Sequence, residues 1–315
     1  SVAFTGVDHI AMDYCREKGI TVSNCAGYST ESVAELVFGM LISLYRNIIR
    51  CDEAVRNGGT KDGLVGFEIK GKKFGIVGTG AIGLKTAEIA KAFGCRVYAY
   101  SRTQKEIEGI TYLPLDELFS ECDIISLHVP LTDETRGFIN AETIAKMKDS
   151  VRILNFARGD LVNTEDIINA LADGKVAAYA TDFLKDELID ATGVITIPHL
   201  GASTPESEDN CAVMAVDELK DYIENGNITN SVNMPAVSVP RSGKTRITII
   251  HKNVPNVISR ITAIVAEENI NIDNMVNKSR GEYAYTMLDT DTEVSNDAIT
   301  AISSQDFAIR VRVIK

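Results

Sequence analysis

The 315 residues contain no tryptophan, four histidines and seven prolines, and the formal charge is −12. No apolar run approaches the roughly 18 residues of a membrane span, and no secretory leader pattern opens the chain. The negative balance argues against nucleic acid or an anionic membrane as a partner, because both are polyanionic. Six cysteines (Cys15, Cys25, Cys51, Cys95, Cys122 and Cys211) show neither C-x-x-C nor metal-ligand spacing. No metal is therefore expected, and the thiols read as buried and free in a reducing, cytoplasmic compartment. The remainder is 45% apolar and 24% charged, an ordinary globular balance with enough length for two or three domains.

The stretch Lys73-Phe74-Gly75-Ile76-Val77-Gly78-Thr79-Gly80-Ala81-Ile82-Gly83 reads as a buried strand, a glycine turn and a helix start. Gly78-x-Gly80-x-x-Gly83 supplies three small positions: one for the turn, one for backbone approach to a pyrophosphate, one for helix–strand packing. Ala81, Ile82 and Gly83 then offer helix N-terminal N–H groups to the phosphates. Such a glycine pattern alone is weak. Here an apolar strand precedes it and a helical pattern follows, which points to a dinucleotide site.

Beyond residue 63 the chain alternates strand and helix. Strands are expected at 74–77, 96–100, 124–127, 152–155, 177–181 and 194–197, with helices at 82–93, 115–121, 141–146 and 165–173. This is the α/β, doubly wound parallel pattern, whose ligands lie at the carboxyl ends of the strands. The residues following those strands (78–83, Ser101 and Arg102, His128 to Pro130, Ala157 and Arg158, Asp182, His199) should share one rim. Earlier, short strands are expected at 2–4 and 20–22 and a short helix at 12–18. A single long helix should run over 32–57, opened by a Ser32–Glu35 capping box. A helix from Pro205 to about 225 follows, then an unpatterned linker over 226–243. Last comes a βαββαβ order over 246–314, a ferredoxin-like unit.

Two rim residues, with an acid from a neighbouring loop, can carry chemistry. Arg158 could hold a carboxylate by two parallel hydrogen bonds and polarise a neighbouring carbonyl; a lone arginine is otherwise a surface ion-pair partner. His199 could exchange protons near neutral pH, against the plainer reading of a hydrogen-bonded structural ring. A carboxylate beside His199 would fix its tautomer and favour its charged form, and Glu187 and Asp186 lie on the loop leading there.

These stretches, together with 6–10, 29–35, 128–132 and 198–203, resemble the D-isomer-specific 2-hydroxyacid dehydrogenase family over about residues 1–232. The resemblance implies a catalytic set of Arg158, Glu187 (29 residues after Arg158) and His199. It implies a substrate edge at Gly6, Val7, Ser29 and Arg158. It places the cofactor, NAD or NADP, against Gly78, Gly80, Ala81, Ile82, Gly83, Ser101, Arg102, His128, Val129, Pro130, Thr30, Ala157, Asp182 and Gly201. The end of the chain resembles an amino-acid-binding ACT domain, as in the short bacterial phosphoglycerate-oxidising branch. That implies a serine effector at an interface between ACT domains, held by His251, Asn253 and Asn271.

The domains implied are 1–58 with 200–232 for substrate, 59–199 for the dinucleotide and 244–315 for regulation. The dinucleotide domain would be inserted in a flavodoxin-like substrate domain. A homodimer or homotetramer is implied, together with oxidation of 3-phospho-D-glycerate in serine biosynthesis.

There are three departures. The family's chain begins before the segment matched by Ser1, so part of the substrate domain, roughly 70 residues or several strands, is expected to be missing. Within 1–45 only Arg16 and Lys18 are cationic. Ser101-Arg102 stands where NAD enzymes place an acid, which opens NADP. Tyr28-Ser29-Thr30 lacks an asparagine found in phosphoglycerate enzymes. The alternatives are an NADPH-dependent reductase of another small 2-oxo acid, a nucleotide-sensing scaffold of the corepressor kind, and a folded piece unable to turn over.

Overall fold

A computed structural model describes residues 1–7 and 9–315; Asp8, within the stretch 6–10 noted above, lies outside the described residues. The chain forms two compact units, one of Ser1–Tyr28 with Glu208–Lys315 and one of Ser29–Ser207. No single described helix is long and apolar enough to cross a membrane.

In the first unit the short helix α1 (Met12–Glu17) follows an irregular start. The strands expected at 2–4 and 20–22 do not form. Pairing there is limited to single bridges, Val2 to Asn24 and Ser23 to Ser231.

The second unit opens with α2 (Thr30–Arg46) and α3 (Ile48–Arg56). The single helix expected over 32–57 is thus two, bent by 57°. Asn47 makes the break at φ 50, a left-handed conformation that asparagine tolerates better than most residues. Its side-chain amide donates to the Leu64 carbonyl at 3.2 Å. The Ser32–Glu35 capping box is also corrected. The helix starts earlier, behind Ser29, and the Ser32 hydroxyl lies in the first turn, donating to the Ser29 carbonyl at 3.1 Å.

The order then runs β1 (Lys73–Val77), α4 (Ala81–Ala92), β2 (Arg96–Tyr100), β3 (Ile110–Tyr112), α5 (Leu115–Glu121) and β4 (Ile124–Leu127). It continues with α6 (Ala141–Lys146), β5 (Val151–Asn155), α7 (Thr164–Ala172), β6 (Val176–Thr181), α8 (Asp186–Ile189) and β7 (Val194–Thr196). All seven strands are parallel, in the order β3-β2-β1-β4-β5-β6-β7. Strands β1 and β4 are apolar and almost wholly buried because helices cover both faces. On one face Phe38 of α2 stacks on Phe74 of β1 and on Phe93, with ring centroids 5.7 and 5.2 Å apart. The two buried rings, Phe38 and Phe74, contribute roughly 1.5–3 kcal/mol each. The three-residue edge strand β3 is too short to leave a pattern in the sequence.

The register aligns the carboxyl ends. Val77 pairs with Tyr100 and Leu127, Leu127 with Asn155, Asn155 with Thr181, and Thr181 with Thr196. Residues one step further (Gly78, Ser101, His128, Phe156, Asp182) therefore leave the sheet along one edge.

The chain closes with α9 (Pro205–Asn225), β8 (Thr245–Lys252), α10 (Val257–Glu267), β9 (Ile272–Arg280), β10 (Tyr283–Thr290), α11 (Asn296–Ser303) and β11 (Ala308–Ile314). The strands form an antiparallel sheet in the order β11-β8-β10-β9, the expected βαββαβ unit. The segment 226–243 is not a loose linker. Ile228, Met234 and Val237 are buried against Ile250, Tyr285 and Met287. Arg246 fastens the segment: its guanidinium donates to the carbonyls of Asn225 (2.8 Å), Val239 (3.1 Å) and Pro240 (3.1 Å) and grips the Asp289 carboxylate at 2.6 and 2.7 Å.

Candidate functional site

The glycine turn is built for close backbone approach. Gly78 sits at φ 102, and a Cβ there would come within 2.5 Å of the His128 carbonyl. A Cβ at Gly83 would collide with the Gly78 carbonyl. At Gly80 a Cβ would meet nothing within 4 Å, and Gly80 and Ala81 are exposed. The turn is therefore crowded beneath and open above. The first-turn amides of α4, at Ala81, Ile82 and Gly83, have no acceptor within the helix. An open mouth with unspent donors on a positive helix end fits a pyrophosphate.

His128 flanks this turn, with Nε2 2.8 Å from the Ser126 hydroxyl. Burial lowers its imidazole to about 4, so the ring is neutral near pH 7. Val129 is half-buried and Pro130 exposed beyond it. Across the turn, Ser101 follows β2 directly and is half-buried, while Arg102 is exposed and lies 3.9 Å from the Glu134 carboxylate. An ion pair that open contributes little. Lys105, which no motif marks, donates to the Thr79 carbonyl at 3.1 Å.

Beyond β5 the half-buried Arg158 forms no ion pair among the described residues; its guanidinium rests on its neighbour, the Ala157 carbonyl, at 2.7 Å. Asn155 holds the loop. Fully buried, it donates from Nδ2 to the Arg158 carbonyl at 2.9 Å and accepts from the Ala157 N–H at 3.3 Å. The neighbouring strand supplies Asp182, 2% exposed. Its Oδ2 accepts from the Gly201 N–H at 3.2 Å, and its Oδ1 is buried with no partner among the described residues. Burial raises the Asp182 carboxyl above its ordinary value, opposed by the charges of His199 and Arg158 and by the Gly201 N–H. Phe183 joins the parts: its ring meets that of the exposed His199 edge-on at 4.7 Å, and a Cβ on Gly159 would lie 3.0 Å from its Cβ.

Arg158, Asp182 and His199 therefore come together, and the charges of the first and last act on the Asp182 carboxyl. Glu187 makes no hydrogen bond or ion pair with His199 among the described residues. It is exposed on the single turn of α8, lining an open groove of about 640 Å³ with Arg136, Asp160, Thr164 and Lys185. Lys185 is tied there to the Thr164 hydroxyl (3.0 Å) and to Asp160 (3.5 Å). At the start of α2, Ser29 is buried and Thr30 half-buried. Gly6 and Val7 belong to the other unit, both half-buried.

In the small antiparallel unit His251 is 2% exposed. Its Nδ1–H donates to the Lys252 carbonyl at 2.8 Å, and Nε2 lies 2.9 Å from the Thr286 hydroxyl and 3.2 Å from the Asn277 amide oxygen. Asn253 and Asn271 are exposed; their amides donate to the Gly281 carbonyl (3.0 Å) and to Asp273 (3.4 Å).

Asn155, Phe183 and Lys105 were not singled out from the sequence. Asn155 and Phe183 act through packing and hydrogen bonds that only the register creates, and a lysine in a loop carries no pattern.

Comparison with known proteins agrees with this geometry. Residues 38–201 match the model of the D-isomer specific 2-hydroxyacid dehydrogenase NAD binding domain. A D-3-phosphoglycerate dehydrogenase of Haemophilus influenzae is 33% identical over 98% of this chain and 79% of its own length. A hydroxypyruvate reductase of Thermotoga maritima is 40% identical over 68% of this chain and 74% of its own. The structure of a D-lactate dehydrogenase from Aquifex aeolicus, complexed with NAD and lactic acid, superposes with a TM-score of 0.66 at 32% identity, covering 74% of this chain and 79% of that one. With a crowded glycine turn beneath an open helix end, and an unpaired guanidinium beside a buried carboxylate and an imidazole, the chain belongs to the D-isomer-specific 2-hydroxyacid dehydrogenase family and is an NAD(P)-dependent dehydrogenase.

Proposed function

We propose that the chain interconverts a D-2-hydroxy acid and its 2-oxo acid, with 3-phospho-D-glycerate as the hydroxy acid. The observation that carries the reading is Arg158: a half-buried guanidinium without an ionic partner among the described residues, near Asp182 and His199. Arg158 would hold the substrate carboxylate and polarise the C2 oxygen. His199 would take the hydroxyl proton and return it in the reverse direction. Glu187 would swing towards His199 and orient the ring. The unpaired Oδ1 of Asp182 offers an acceptor to the cofactor's carboxamide, with Gly201, Ala157, Thr30 and Val129 edging the same pocket. The nicotinamide, when bound, accepts or gives the hydride; the chain supplies placement and charge. In the C-terminal unit, an ACT-like role would have serine bound at Asn253 and Asn271, with His251 bracing that loop from within. Pairing of such units would give a homodimer or homotetramer.

A second reading is reduction of a small unphosphorylated 2-oxo acid by NADPH. It is favoured by the only two cations in 1–45, Arg16 and Lys18, which are paired with Asp13 (2.8 Å) and Glu17 (3.0 Å). Initial rates with 3-phospho-D-glycerate and NADP or NAD, set against hydroxypyruvate, glyoxylate and pyruvate with NADPH or NADH, decide between them. Saturable oxidation of 3-phospho-D-glycerate supports the first. Turnover restricted to the unphosphorylated acids supports the second. Nucleotide binding with no turnover of any acid overturns both and leaves the corepressor-like scaffold.

A further inference from the structure

The edge of the glycine turn nearest β2 carries hydrogen-bond donors where a free ribose needs acceptors. Gly78 donates its N–H to the Tyr100 carbonyl at 2.8 Å, so the residues after Tyr100 run beside the turn. They are Ser101, Arg102, Thr103, Gln104 and Lys105, with no acid among them. Lys105 leans back onto the turn through the Thr79 carbonyl at 3.1 Å. Beneath it, Thr79 is 4% exposed and its hydroxyl has no partner among the described residues. Ribose 2′- and 3′-hydroxyls are best received by a carboxylate at this place, whereas a 2′-phosphate dianion needs cations and hydroxyl donors.

We propose that Lys105 is a specificity-determining residue for the nucleotide, acting as a second cation with Arg102 and Ser101 to bind the 2′-phosphate of NADP. Its neutral contact with the Thr79 carbonyl is one it can give up. A phosphate oxygen would replace a weak neutral acceptor with a charged one, the stronger of the two hydrogen bonds. Arg102, whose one ion pair among the described residues is a long exposed contact with Glu134, is equally available. The inference rests on the dinucleotide site described above but not on any particular substrate acid.

The test is calorimetric and needs no turnover: binding of 2′,5′-ADP and of 5′-AMP to the wild-type chain and to Lys105→Met, Lys105→Arg and Arg102→Ala. The wild type should prefer 2′,5′-ADP. Lys105→Met should weaken 2′,5′-ADP about tenfold, the loss expected for one charged hydrogen bond, while AMP stays nearly constant and Lys105→Arg restores most of the difference. Equal weakening of both nucleotides, or no weakening of either, would overturn the assignment of Lys105 and leave the dinucleotide site standing. Failure of the wild type to bind either nucleotide would overturn the site itself.

Discussion

The rim of the parallel sheet and the interior of the antiparallel sheet treat charge in opposite ways. On the rim, Arg158 has no ionic partner and the Asp182 Oδ1 and Thr79 hydroxyl are buried without one among the described residues. In the small sheet, Arg246 is 1% exposed and spends its guanidinium on Asp289 and three carbonyls, and His251 has both ring nitrogens engaged. A buried polar group left unmade costs free energy that a fold meant only to be stable would recover. Groups left open on one edge of a sheet are thus the ones prepared for something that arrives later, and groups fully satisfied are holding the chain. Buried hydroxyls without a partner among the described residues also occur elsewhere, at Thr245 of the small sheet among them; what sets the rim apart is that its open groups include the charged Arg158 and Asp182, whereas Arg246 and His251 are engaged.

The largest effect is expected on the satisfied side. Arg246→Met leaves the buried Asp289 carboxylate without its countercharge, though the Ser242 N–H and hydroxyl still donate to it, which should cost roughly 3–5 kcal/mol of unfolding free energy, measured by urea titration. Arg246→Met combined with Asp289→Leu should recover most of it. A single variant within 1 kcal/mol of wild type, on the order of an ordinary surface change, would mean that the pair fastens nothing.

The next effect lies at His128. Burial keeps His128 neutral, with its imidazole lowered from 6.5 to about 4. As pH falls through 6.5 the unfolded chain takes up a proton that the folded chain refuses, so stability drops until pH 4 and then levels. The shift corresponds to about 3 kcal/mol. Urea midpoints across that window should fall steeply for wild type and less steeply for His128→Asn. Parallel slopes would show that the ring is not held neutral.

How much of this the sequence disclosed depends on the range of the interaction. The glycine turn, six of the seven parallel strands and the βαββαβ unit were legible because each is written in residues a few positions apart. So was the place of Arg158, because a residue three steps past the end of a buried strand must lie on the rim. What escaped was set by distant partners or by single backbone angles. Asn47 breaks a helix whose apolar spacing continues across it, and 226–243 is ordered by Arg246 and a cluster drawn from two strands. The neighbour of His199 follows the same logic. The family pattern marks Glu187, and only the fold shows that the acid buried near His199 is Asp182 while Glu187 stands on the single turn of α8 at the groove with Lys185.

The claim that the unsatisfied rim is a hydride-transfer site is met most directly by one comparison. The wild-type chain and Arg158→Gln, each saturated with oxidised cofactor, are mixed with the D and L isomers of the best substrate acid while nicotinamide absorbance is followed. The account predicts reduction by the wild type with the D isomer alone, and a loss of about 100–1000-fold in kcat/KM for the variant, with nucleotide affinity and unfolding midpoint unchanged. Equal rates in the two proteins, or loss of nucleotide binding together with activity, would contradict it.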